Sequence, residues 1–227
     1  YLIFNEGYSA TSGDALLNVD LSSMAIALTR ELFDLLKHPE AGGLLALMLL
    51  HDARRAARTD GQGDLVLLEE QDRAKWNRAQ ITEGEAIIES VLRQAPPGPY
   101  ALQAAIAAVH AQTVDGGSTD WPQIIKLYDR LLEQAPSPVV ELNRAVAVAM
   151  VNGADAGLAL IDTIAARGAL RGYYPLHAAR ADLLRRSTRY AEAAQAYARA
   201  AELTLNTAER RFLNRRREEM QGYAGQK

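Results

Sequence analysis

The chain has 227 residues, a formal net charge of −3, four histidines and no cysteine. The missing cysteines exclude disulfides, thiolate catalysis and cysteine-based zinc sites, and the near-neutral balance excludes a strongly basic coat for nucleic acid. Alanine (41) and leucine (31) make up nearly a third of the residues and aromatics only 6%, which favours helix over a β-sandwich or barrel. With 48% hydrophobic and 23% charged residues, the composition is that of a globular protein. No run approaches the roughly 20 apolar residues of a membrane span. The longest, Ala41 to Leu50, holds two glycines and stops at His51-Asp52. A cytoplasmic, all-α protein is expected. No signal peptide opens the chain, and Tyr1-Leu2-Ile3-Phe4 resembles the interior of a longer protein.

Tyr1 to Asn5 is a short apolar stretch, either an extended strap or a helix end. Leu21, Ala25, Leu28, Leu32, Leu35 and Leu36 then recur at three- and four-residue steps. This spacing predicts a helix with those residues on one face, capped by Asp20 and ending before Pro39. Leu44 to Ala57 predicts a second helix, packed on the first as an antiparallel hairpin. Asp60-Gly61-Gln62-Gly63 is a turn, and Asp64 to Leu68 is too short and too apolar to assign to helix or strand, so β-structure is expected to be marginal and confined to Leu65 to Leu68. A third helix is predicted from about Thr82 to Gln94, with Thr82 and Glu85 in capping-box register. Pro96-Pro97-Gly98-Pro99 is the strongest break. It divides an N-terminal helical region, 1–95, from a repetitive region, 96–227.

Beyond the break, small and large apolar residues alternate at long range. Ala145 precedes Gly157 by 12 residues, and Ala181 precedes Ala193 by 12. From Tyr128 to Ile161 is 33 residues, and from Ile161 to Tyr197 is 36. This matches the tetratricopeptide period of about 34. Small residues let two helices of a hairpin approach, and the large ones fill the next groove. Such hairpins bury their apolar faces only by stacking, so a short α-solenoid is predicted. Asn206 to Gln221 would close it as a capping helix.

No catalytic framework is present: there is no HExxH, P-loop, GxSxG or GxGxxG after a strand. A non-enzymatic protein without cofactor is therefore expected. The doublet His51-Asp52 invites comparison with metal-dependent phosphohydrolases, but such a site needs further ligands nearby. A histidine bonded locally at a helix end is the expectation. Asp115-Gly116-Gly117-Ser118-Thr119-Asp120-Trp121 interrupts the first repeat. It can be a glycine turn followed by an N-cap at Asp120, or a loop lengthened to touch a partner. Asn143, Arg144, Arg180 and Asp182 fall in first helices, which line the inner face of a solenoid. They are contact candidates and equally ordinary solvated positions. Arg210-Arg211 and Arg215 to Arg217 are tempered by Glu209, Glu218 and Glu219, as on a solvated helix face.

Several strings resemble one protein family across nearly the whole chain, in order. They are Tyr1-Leu2-Ile3-Phe4-Asn5-Glu6-Gly7-Tyr8, the run from Leu45 to Arg54 that includes His51-Asp52-Ala53-Arg54, and Glu70-Gln71-Asp72-Arg73 to Trp76. Asp115-Gly116-Gly117, Asn143-Arg144-Ala145-Val146-Ala147 and His177 to Leu184 complete the set. The chain resembles the long C-terminal extension, with tetratricopeptide-like repeats, of a group of bacterial extracytoplasmic-function (ECF) RNA polymerase sigma factors. The resemblance implies a regulatory, protein-binding role in transcription initiation. Partners would be the sigma domains of the same protein, RNA polymerase through those domains, or a regulatory protein. No membrane and no specific DNA contact by these residues is implied. The family's Asp-Gly-Gly motif falls on Asp115, Gly116 and Gly117, and Ser118 departs from the further glycine often found there. A freestanding helical-repeat adaptor is the alternative, and a small-molecule sensor or enzyme a third.

Overall fold

Helix Pro39–Asp52 (α3) organises the first half of the protein. Its sequence is apolar nearly all round, and Ala41, Gly42, Gly43 and Leu45 to Leu50 are all buried. A helix of that kind must be surrounded. It is packed by helices Val19–Leu36 (α2), Arg78–Gln94 (α4) and Pro99–Ala111 (α5), with Leu2–Tyr8 (α1) lying on α2 and touching α3. One side of α3 feeds a core of Ala46, Leu47, Leu50, Trp76, Ile81, Ile88 and Val91, closed by alanines of α5. Another gathers Leu45, Met48 and Leu49 with Phe4, Ala25 and Ile26. The glycine pair explains the close fit: a Cβ on Gly43 would stand 2.6 Å from the backbone nitrogen of Ala101. At the same end, the Glu40 carboxylate accepts from the backbone N–H groups of Tyr100 (2.9 Å) and Ala101 (3.2 Å). A side chain of α3 thus caps α5, whose first turn lacks a capping side chain of its own.

The computed structural model describes residues 1–8, 12–13, 17–113 and 119–225. It is all-α, with eleven helices among the described residues that pack in sequence as antiparallel pairs. Two compact units result: residues 1–11 with 15–135, and residues 12–14 with 136–227. The proline-rich step at 96–99 lies inside the first unit, where Gln134 Nε2 donates to the Pro97 carbonyl at 3.0 Å. The first unit ends with helix Trp121–Gln134 (α6), packed on α5.

The second unit is a run of neighbours: Pro138–Asn152 (α7), Ala154–Ala166 (α8), Tyr174–Arg186 (α9), Tyr190–Leu203 (α10) and Thr207–Ala224 (α11). Each packs on the next. The predicted small residues sit where helices meet. Ala145, Ala181, Ala193 and Ala200 have no accessible surface, and Ile161, Ile164 and Tyr197 fill the grooves. At Gly157 an added Cβ would stand 2.5 Å from Ala149 Cβ and 2.9 Å from the Ala145 carbonyl oxygen. The closing helix α11 is capped by Asn206, whose Oδ1 accepts from Ala208 N at 2.9 Å. A two-residue parallel pairing of Ser12–Gly13 with Leu205–Asn206 is the β-structure of this unit's described residues.

Several local expectations are corrected. Asn18, not Asp20, caps α2, its Oδ1 accepting from Leu21 N at 3.3 Å. The buried face of α2 is Ser22, Ala25, Ile26 and Thr29, whereas Leu28, Leu32, Leu35 and Leu36 are exposed. Small residues face the neighbouring helices and the leucines point away. The second helix begins at Pro39 and stops at Asp52, and Arg55–Ala57 is a separate 3-10 turn. The capping box at Thr82 lies inside α4, which Asn77 caps with bonds from Ala79 N and Gln80 N. Leu65 makes only an isolated bridge with Thr59. Of the two readings of the first residues the helical one holds, with Leu2–Tyr8 an α-helix.

The close contact at Gly157 yields a stability test. Gly157→Ala would raise helix propensity by about 1 kcal/mol, but the new methyl meets the Ala145 backbone carbonyl and the Ala149 methyl. Overpacking of this kind costs on the order of 1–3 kcal/mol, so the clash wins. Calorimetry should show a lower Tm for Gly157→Ala, and for Ala193→Leu at the equivalent contact of α9 with α10. An unchanged Tm in both would place the helix contacts elsewhere.

Candidate functional site

The C-terminal end of α3 gathers a set of charged and aromatic side chains. Asp52, fully buried, accepts from Arg55 Nε at 2.9 Å and from the same guanidinium's Nη2, and also from Gln80 Nε2 at 2.8 Å. The carboxylate of the His-Asp doublet therefore ties α3 to α4. Among the described residues, no group of three or more acidic or histidine side chains could hold a metal ion.

Around this anchor lie three further arginines and two histidines. Arg54 Nη2 donates to the Tyr8 hydroxyl at 2.7 Å. Arg58 donates to the Tyr8 carbonyl and lies 3.6 Å above its ring. Arg73 stacks 4.4 Å from the Trp76 ring, which Arg54 also faces at 5.8 Å. Guanidinium groups on aromatic faces are held by the ring quadrupole while keeping donors available for other bonds. Arg73 Nη1 uses two of these, to the carbonyls of His110 (2.8 Å) and Thr113 (2.9 Å). It thereby satisfies the C-terminal end of α5. The His110 ring meets Trp121 edge-on at 5.2 Å, and the His51 ring lies 5.3 Å from Tyr8.

The cluster sets the protonation of both histidines. Dense packing around the ring of His51, then Arg54 and Arg58, push its pKa down to about 3. Burial, then Arg54 and Arg73, push His110 down to about 4. Both rings are neutral at pH 7, and the positive charge of the cluster rests on its arginines.

Asp115, Gly116 and Gly117 lie outside the described residues, but the residues flanking that segment are placed. Thr113 is held by Arg73 on one side. On the other, Thr119 is buried and Trp121 packs on His110. Asp120 is an N-cap, as its position before Trp121-Pro122 predicts, accepting from Gln123 N at 2.9 Å.

The remaining candidates lie in the second unit. Asn143 is exposed and Arg144 half-buried on α7. Arg180 of α9 pairs with Asp162 of α8 at 2.8 Å. Asp182 accepts from Arg185 Nη2 and Arg186 Nε, both at 2.7 Å. Burial raises the Asp182 carboxyl, but these bonds outweigh it and hold the pKa below the ordinary value. Arg180 and Asp182 are thus engaged within the helical framework. Sequence spacing did not single out Tyr8, Arg58 or His110, because three separate elements bring them together.

The lowered histidines define a pH dependence. An unfolded chain binds protons at its histidines near pH 6.5, whereas the folded form resists until about pH 3 to 4. The unfolded state then holds more protons, so stability is full above pH 6.5 and lost as pH falls. The slope is at most about 1.4 kcal/mol per pH unit per histidine. Thermal melts from pH 7.5 to 4.5 should show Tm falling below pH 6.5, and a shallower fall for His110→Gln. An identical profile in the variant would mean that this ring titrates normally.

No solved structure matches the chain. An uncharacterized protein of Rhizobium meliloti (strain 1021) is 46% identical over 214 residues, which is 94% of this chain and 50% of that protein. The chain therefore spans half the length of this relative. Residues 1–92, which contribute Tyr8, His51, Arg54, Arg58, Arg73 and Trp76 to the cluster, match the family of unknown function DUF6596.

Proposed function

We propose that the chain is the regulatory, protein-binding C-terminal extension of an ECF-type RNA polymerase sigma factor. It would control transcription initiation by docking on the sigma domains or on a regulator. The observation that carries this reading is the relative of twice the matched length. A helical-repeat half joined to a second half is the arrangement that the resemblance implies. The resembling strings fall in both units, from Tyr1–Tyr8 to His177–Leu184.

In this reading the arginine–aromatic cluster is a foundation for the segment that contains Asp115. Rigid helices that fix both flanks of a loop lower the entropy lost when the loop engages a partner. The Asp115 carboxylate would meet an arginine of the sigma domains or of the regulator, in a charge-assisted bond. RNA polymerase and promoter DNA would be contacted by the sigma domains alone.

The test is transcription in vitro with the full-length protein, bacterial core polymerase and a cognate promoter. Promoter-specific transcripts are expected, and Asp115→Ala should reduce them sharply while stability changes by no more than about 1 kcal/mol. A full-length protein that neither binds core polymerase nor yields a transcript would remove the sigma-factor reading and leave an adaptor of helical repeats. Transcription unaffected by Asp115→Ala would remove the loop from the mechanism.

A further inference from the structure

Helix α2 carries an apolar stripe that nothing in its own unit covers. Leu21, Leu28 and Leu35 recur every seven residues, with Met24 and Leu32 between them. Met24 is 55% exposed, Leu28 58%, Leu32 44% and Leu35 81%. The buried face of α2, with Ser22, Ala25, Ile26 and Thr29, adjoins the stripe, so the helix is apolar over a wide arc of which only part is covered. The covered part is spent on α1 and α3. The rest has the seven-residue repeat by which one helix packs lengthwise against another. Soluble proteins rarely leave such a stripe in water, and one that persists marks an interaction surface.

From this stripe we infer that α2 is the docking seam for a helix from the other half of the longer protein. One observation favours that occupant, and another opposes a parallel pairing of two copies. The relative that matches 94% of this chain has as much sequence again outside the match, a length sufficient for a second folded half in cis. A second copy of this chain is the competing occupant. Glu31 stands in the stripe, one heptad after Met24. Two copies paired in parallel register would bring Glu31 against Glu31 inside an apolar seam, where like charges repel strongly. A helix of different sequence can place a basic or small residue there. The inference rests on the sigma-factor reading only for the identity of the second half, which would then be the sigma domains.

The absence of cysteine in these 227 residues provides the probe. Leu28→Cys, Leu35→Cys and, as an exposed control off the leucine stripe of the same helix, Ala27→Cys are made in the full-length protein. Thiol alkylation is followed by peptide mass mapping, at concentrations where sedimentation shows a monomer. Burial under a docked helix should slow modification in Leu28→Cys and Leu35→Cys by at least about tenfold relative to Ala27→Cys, in line with closure of a contact worth one decade of equilibrium. Equal rates in all three variants would overturn the proposal. So would protection that appears only as the protein dimerises, since the occupant would then be a second copy. A natural reading frame that encodes nothing beyond these residues would overturn it too. Transcription by the same protein is scored separately. Protection without promoter-specific transcription keeps the seam and removes the sigma-factor reading, and transcription without protection does the reverse.

Discussion

The first unit depends on one constraint: α3 must be buried on nearly every side. A helix with Leu45 to Leu50 in unbroken succession cannot present a wet face without exposing several large side chains. Each buried leucine contributes about 1.5–3 kcal/mol, and collecting that requires neighbours all round. Gly42 and Gly43 cost helix propensity, yet Gly43 lets α5 approach until backbone nearly touches backbone, and Gly42 leaves room for Phe33 of α2 and Val91 of α4. The polar groups at the two ends then do what the apolar middle cannot. Glu40 supplies the cap that α5 lacks, and Asp52 binds Arg55 and Gln80. Both carboxylates are satisfied by several donors, which is what allows them to sit at the ends of a dry helix.

How much of this was legible depended on how local the signal was. The alternation of small and large residues in the second unit translated directly into buried contacts at Ala145, Gly157, Ala181 and Ala193, because helix hairpins are local in sequence. The Asp120 and Asn206 ends were legible for the same reason: a cap needs only its own first turn. The Thr82–Glu85 pair misled because the capping pattern recurs by chance inside helices, and Asn77 was in place five residues earlier. On α2 the leucine periodicity was real, but periodicity reports that a face is apolar and not which partner covers it. Two parts of one apolar arc compete there. The smaller residues Ser22, Ala25 and Thr29 won the interior, since close helix approach favours them.

The candidate site illustrates the opposite limit. Tyr8, Arg54, Arg73 and His110 are far apart in the chain, and no spacing rule joins them. The His51-Asp52 doublet attracted attention as a metal motif, yet its two residues go separate ways. Asp52 is consumed by Arg55 and Gln80, while burial, then Arg54 and Arg58, lowers the pKa of His51. The cluster lowers the pKa of both histidines, by burial first and then by the charges of its arginines. It is well suited to fixing backbone ends, as Arg73 does at His110 and Thr113.

The extent of the family match can be weighed against the same packing. Residues 1–92 supply α1 to α3 and nearly all of α4. They do not supply α5, although Ala101, Ala104, Ala105 and Ala108 close one side of the α3 core. Without α5, Leu47 and Leu50 lose their cover, Glu40 loses the two amides it caps, and Arg73 loses both carbonyls it binds. His110 and Trp121, which complete the cluster, also come from beyond the match. The conformational entropy of roughly 90 residues is then opposed by a core with one wall missing. The region matched as a family is therefore smaller than the unit that can bury its own central helix, and the physical boundary lies after α6 rather than at the end of the match.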